Sequence, residues 1–184
     1  LWIISIIALI TIGIKQATDM SLESSTVTKH ELALNTADTI SIKMIAGAIE
    51  RNSGHYDSNM HRNNGFSIKY NDSNEKVIFS KNVRLTVRST KDSAAYLEIV
   101  KESKGKNYIE AKERAQNIDY AFTIEDNQLL LNNFLTTGYK NKFRDQNVEA
   151  VLYLPEGVIF KLNDNTKSFL NHYKSSDNIV SYSE

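Results

Sequence analysis

The stretch Asn147–Asp164, NVEAVLYLPEGVIFKLND, constrains this chain more than any other. Val148, Ala150, Leu152 and Leu154 alternate with Glu149, Val151 and Tyr153. In an extended chain every second side chain points the same way, so this pattern gives a strand with one buried face. Pro155-Glu156-Gly157 interrupts it, and Val158, Phe160 and Leu162 resume it. Proline cannot donate to a ladder and glycine accepts a turn conformation, so the segment reads as two half-buried strands joined by a tight turn.

The same style recurs along the chain. Asp38–Ile45 sets Ile40, Ile42 and Met44 against Ser41, Lys43 and Ile45. Phe66–Tyr70, Lys76–Ser80, Asn82–Ser89 and Ala95–Lys101 read as short strands, with Asp72-Ser73-Asn74 and Lys91-Asp92-Ser93 as turns between them. Asp119–Ile124 and Gln128–Phe134 form a hairpin around Glu125-Asp126-Asn127. Leu129-Leu130-Leu131 is apolar on both faces, which places that strand inside a sheet. Thr136–Asp145 is polar and reads as a loop. The tail offers Phe169-Leu170, Tyr173 and Ile179-Val180 for docking against the body.

One segment breaks the alternation. In Asn107–Ile118, Tyr108, Ala111, Ala115 and Ile118 recur at helical spacing, and Asn107 with Glu110 resembles a capping box. Ser103-Lys104-Gly105 reads as the turn into this helix. Its stripe is narrow and built of small residues, so it should lie close against a sheet. The soluble part is therefore expected to be all-β, mainly antiparallel or solenoid-like stacked sheets, with one short packed α-helix. Strand spacing alone does not separate a sandwich from a solenoid.

Leu1–Ile14, LWIISIIALITIGI, carries no charge. As a helix it would be about 21 Å long, short of the roughly 30 Å bilayer core. It reads as the C-terminal part of a truncated transmembrane helix. Three segments follow: 1–18 as the end of that helix, 19–37 as a polar stalk able to enter the fold as an edge strand, and 38–184 as the β-rich domain.

Composition narrows the function. Acidic and basic residues balance at 22 each, which gives no basic footprint for nucleic acid. Cysteine is absent, which excludes structural disulfides, cysteine-ligated zinc and thiol catalysis. His55, Asp57 and His61 lie close together in the polar stretch Glu50–Asn64, but no flanking structure fixes them, so solvated side chains are the better reading. Arg84 and Arg88 read as an exposed sheet face paired with Glu98 or Glu102. Asp145 and Glu149, four residues apart on a strand, would stand about 13 Å apart, beyond the roughly 5–9.5 Å of glycosidase carboxylates. No G-x-S-x-G elbow, HExxH or glycine-rich phosphate loop is present. No catalytic, cofactor-binding or metal-binding residue is assigned, no cofactor is expected, and the chain is not read as an enzyme.

Three blocks carry a family resemblance: Lys101-Glu102-Ser103-Lys104-Gly105, Glu110–Ala115 and Gln146–Gly157. From about Val77 to Asp164 the chain resembles the soluble C-terminal β-domain of bacterial membrane proteins related to phage shock protein C. Such domains are similar to putative adhesin-type domains that form solenoid or sandwich-like stacks. The resemblance implies membrane spans ahead of the domain, a role in the envelope stress response or its regulation, and no catalytic residues. The expected function is a non-catalytic domain held at the bacterial cell membrane through residues 1–14. It would act by protein–protein interaction or sensing on the periplasmic or extracellular side. The alternative is a structural or adhesin-like surface domain binding glycan or protein, with self-association left open.

Overall fold

The computed structural model describes residues 2–18, 20–46 and 65–171. Three four-stranded sheets form the body. The first has the order β1-β6-β11-β5, where β1 is Leu22–Glu31, β5 is Val83–Thr90, β6 is Tyr96–Gly105 and β11 is Asn147–Pro155. The second has the order β12-β2-β9-β8, with β2 Ile40–Ile45, β8 Phe122–Glu125, β9 Gln128–Asn132 and β12 Phe160–Leu162. The third has the order β3-β4-β10-β7, with β3 Phe66–Tyr70, β4 Lys76–Ser80, β7 Ile118–Asp119 and β10 Leu135–Gly138. Pairing is mainly antiparallel, but β11–β5, β12–β2 and β2–β9 run parallel. The fold is thus all-β; among the described residues its body packs one helix of nine residues and a single α-helical turn, Asp164–Lys167.

The core forms where the first two sheets bring their apolar faces together. Leu85, Val87, Leu97, Ile99, Ala150 and Leu152 come from one sheet, and Ile40, Ile42, Met44, Leu129 and Leu131 from the other. Strand β11 supplies the centre of the first sheet, lying between β6 and β5. Its alternate residues Val148, Ala150, Leu152 and Leu154 are all buried, as the sequence pattern demands. Strand β9, apolar on both faces, is internal between β2 and β8. The β8–β9 hairpin turns at Asp126 and Asn127, both with positive φ, as a two-residue primed turn requires. A satellite cluster in the third sheet stacks Phe79 on Phe134 at 4.9 Å.

The helix α2, Tyr108–Gln116, starts at Asn107, whose side-chain oxygen accepts from the Glu110 amide at 2.8 Å. It lies against β1 and β6 with Ala111 and Ala115 fully buried. Its approach is close: a Cβ on Gly105 would meet the Ala111 backbone nitrogen at 2.7 Å. Small side chains on both elements are what permit this contact.

Several expectations are corrected. The strands within Asn147–Leu162 do not pair with each other. The turn at Gly157, φ 88°, carries the chain from the first sheet to the second, and β12 pairs with β2 instead. A Pro/Gly break marks a change of direction, and it does not say which strand comes next to which. The polar stretch 19–37 does enter the fold as an edge strand, as its sequence allowed: residues 22–31 pair with β6 in unbroken register from Leu22↔Gly105 to Glu31↔Tyr96. An edge strand takes its order from backbone pairing, so it needs no apolar run, and the sheet begins at Leu22, ahead of residue 38. Strand β6 extends through Ser103 and Gly105, leaving Lys106 and Asn107 as the turn. The expected loop 136–145 holds β10, whose buried Thr136 and Thr137 pair with β4 and β7. Tyr108, expected in the helix's buried stripe, is 65% exposed.

At the C-terminal side, Leu170 is buried and bridges Leu85. The Leu85 amide donates to Phe169 O at 2.7 Å, and the Asn171 amide donates to Leu85 O at 2.9 Å. Tyr173 and Ile179-Val180 lie outside the described residues. At the other end, α1 runs over Trp2–Thr18, 17 residues. No helix among the described residues is long and apolar enough to cross a membrane.

Replacement of Ala115 by Arg is expected to cost about 1–3 kcal/mol of stability, because no space exists beside the sheet. Glu113→Arg, on the exposed side, should change it by under about 0.5 kcal/mol. Chemical denaturation measures both; equal losses would mean that the helix packs by another face.

Candidate functional site

Two arrangements stand out, and both come from side chains that the sheet topology brings together. The first is a row across the outer face of the first sheet. Tyr96 and Tyr153 sit opposite each other on β6 and β11, their rings stacked at 4.4 Å and 15°. Lys29 of β1 places its ammonium 3.6 Å from the Tyr96 ring centre. Arg88 of β5, opposite Tyr153, donates from Nη1 to the Tyr153 hydroxyl at 3.3 Å. Four strands thus each contribute one member to a cation–tyrosine–tyrosine–cation row. Burial within the row holds the Tyr153 phenol above its usual pKa and outweighs the lowering pull of Arg88. At the Lys29 end the row opens into a cleft of about 260 Å³ lined by Lys29, Glu31, Asp92, Ser93, Ala94 and Tyr96.

The second arrangement is a polar knot beneath α2. Ser103 and Gln146 are fully buried and Arg144 nearly so. The Arg144 carbonyl accepts from Ser103 Oγ at 3.2 Å and from the Lys104 amide at 2.9 Å. Gln146 accepts from the Arg144 amide at 2.8 Å and donates to Lys142 O at 2.9 Å. Lys104 pairs with Asp145 at 2.5 Å, which raises the lysine pKa. On the helix, Arg114 pairs with Glu110 at 2.5 Å and also donates to the Asn141 carbonyl. Asn141 then donates to Thr137 at 2.8 Å, and Thr137 to Asn117 O at 3.0 Å. These bonds join β6, α2, β10 and the segment leading into β11. The bonds to the fully buried Ser103 and Gln146 fix one geometry for these segments. With Ser103 and Gln146 fully buried, the knot ties elements together, and its chemistry is structural.

The residues singled out in the sequence fare differently. His55, Asp57 and His61 lie outside the described residues. Arg84 is exposed and sits opposite Glu149, and Arg88 sits opposite Tyr153. Pairing with Glu98 or Glu102 was expected; β11 lies between β5 and β6 and supplies the neighbours instead. Asp145 precedes β11 and holds Lys104. Glu149 accepts from Thr86 at 2.5 Å and from Asn171 at 2.9 Å. Each carboxylate is therefore engaged in its own local contact. Among the described residues no group of three or more His, Cys, Asp or Glu is placed to hold a metal ion. The tyrosine row was missed in the sequence. Tyr96 and Tyr153 each fall on an outward phase of their strands, but their adjacency depends on strand order.

An all-β body of three small sheets, tied by a buried polar knot and preceded by an apolar helix, defines a β-stack appendage domain. Residues 69–184 match the family described as the toast-rack found in some PspC proteins, more than half of the chain, and the chain belongs to that family. No curated protein and no solved structure matches it. The matched span begins after β1 and β2, yet these strands are paired into the first and second sheets. All three blocks that carried the resemblance to phage shock protein C lie within the match. Lys101–Gly105 and Glu110–Ala115 converge on the polar knot with Gln146.

Glu110 tests the knot. Arg114 lowers its pKa, so the folded form holds its proton less tightly than the unfolded chain. That stabilisation is present above the ordinary carboxylate range and is lost as pH falls through the folded value. Glu110→Gln should therefore lower stability by about 0.5 kcal/mol at neutral pH, with the deficit vanishing at low pH. Denaturation at both pH values would show it, and a deficit that persists in acid would rule out the ion pair as its source.

Proposed function

We propose that this chain is a non-catalytic docking domain held at the bacterial cell membrane, outside the cytoplasm, where it binds a protein partner in an envelope stress pathway. The observation that carries this reading is the family membership of residues 69–184 together with the apolar helix directly before β1. Helix α1 exposes Trp2, Ile4, Leu9 and Ile12, and three positions separate its last residue, Thr18, from Leu22. At 17 residues it would reach about 26 Å, most of a bilayer core. A tether this short holds the first sheet beside the bilayer. The docking surface is backbone and side chain on that sheet rather than a deep pocket, since the cleft at its end is small, open and polar.

A second reading, a surface domain that binds glycan or protein, draws on that polar cleft. The tyrosines weaken it for glycans. Tyr96 has Lys29 on one side and Tyr153 on the other, so its ring faces are occupied.

Placement decides first. The chain has no cysteine, and Lys112 is exposed on α2. Lys112→Cys, introduced into the full natural protein cleared of any other cysteine, should react in intact cells with a thiol reagent that cannot cross the cytoplasmic membrane. Its partition should be with the membrane fraction. Labelling only after lysis would overturn the proposed side, and a soluble, unanchored protein would overturn the tether.

A further inference from the structure

We infer that the outer edge of β1 is a homodimer seam, at which a second copy of this chain adds its own β1 antiparallel to make one continuous eight-stranded sheet. This names the partner of the docking reading, and it rests on that reading only in taking the partner to be a protein.

The argument starts from edges. A strand with an unpaired side offers a row of free backbone donors and acceptors, and folds ordinarily shorten, bend or cover such strands. Among the described residues the other edges follow that rule. Strands β12, β8, β3 and β7 run for only 3, 4, 5 and 2 residues. The edge of β5 is capped by the backbone bonds of Phe169 and Asn171 to Leu85. Strand β1 is different. It has 10 residues, no proline, and a register with β6 that no bulge interrupts. No described strand lies on its other side. Its one lysine, a residue that would ordinarily guard an edge, lies over the Tyr96 ring in the single chain and swings out to face Glu23 at the seam.

The sequence of β1 selects the partner. In an antiparallel pair related by a two-fold axis, directly opposed residues share a face, so only registers that oppose residues of like parity are allowed. Centring the axis on Thr26 opposes Glu23 with Lys29 twice over, along with Ser25 and Val27, Ser24 and Thr28, and Leu22 and His30. Both charged pairs are then of opposite sign, and Val27, 59% exposed in the single chain, gains a cross-strand neighbour. Moving the axis to Val27 would oppose Glu23 with Glu31 twice. Moving it to Ser25 would leave Glu23 facing Val27. Of these three registers only the one centred on Thr26 is self-complementary, which is the requirement for an isologous interface.

The geometry gives a clean test in the full chain, purified in detergent micelles. Ser25 and Val27 are both exposed and face the same way. Across the seam, position 25 meets position 27, whereas 25 meets 25 and 27 meets 27 only at about 8 Å. That exceeds the roughly 7 Å that a disulfide spans. Under mild oxidation, a mixture of Ser25→Cys and Val27→Cys chains should form a disulfide dimer, and neither variant alone should. Adding Glu23→Lys to both should lower the yield about tenfold, and the further exchange Lys29→Glu should restore it. Cross-linking of either variant by itself would place the seam in another register or show chance collision. Either that result or an uncross-linked mixture would overturn the proposal, while the labelling of Lys112→Cys would still decide the proposed placement on its own.

Discussion

Strand β11 is the constraint on which the structure depends. It is paired over its length on both sides, antiparallel to β6 and parallel to β5. A parallel partner cannot be reached by a tight turn, so the chain must leave the first sheet and return. Between β5 and β11 it builds β6, the helix, the second sheet's hairpin and two strands of the third sheet. The buried residues Val148, Ala150, Leu152 and Leu154 then meet the inner face of the second sheet. A charge at Leu152 would face that core without a partner, which makes this strand the least tolerant element of the fold.

The polar knot explains how so small a helix holds its place. Ala111 and Ala115 bury little apolar area, so packing alone stabilises α2 weakly. The close approach at Gly105 brings the helix onto the end of β6, where Ser103, Arg144 and Gln146 are already fixed. Arg114 then bonds the far side of the knot through the Asn141 carbonyl. The blocks that give the chain its family likeness are thus the residues that orient the helix and β11. That likeness concerns architecture, and the partner surface proposed above is the free edge of the same sheet, at β1.

Much of the fold was legible in the sequence, for a definite reason. Alternation at Ile40–Met44, Val83–Val87 and Val148–Leu154 reports a buried face directly, and Asn107 marks a helix start by a local hydrogen bond. What stayed hidden is non-local. Strand β10 is polar because Thr136 and Thr137 satisfy their burial through sheet bonds and a hydroxyl bond to Asn117. Strand β1 is polar because its order comes from β6. The Tyr96–Tyr153 stack depends on which strands are neighbours, and no local pattern encodes that. The candidate surface was accordingly less legible than the core.

The central claim is that the domain begins at Leu22, so that the family-matched body and the two strands ahead of it form one structure. Hydrogen exchange on the β2 amides tests this most directly. Strand β2 lies inside the second sheet, between β12 and β9, although both of its neighbours come from far along the chain. Its amides should exchange as slowly as those of β9, within the same cooperative unit. Fast exchange across Ile40–Ile45, beside a protected β9, would show that residues ahead of the matched span are not part of the fold.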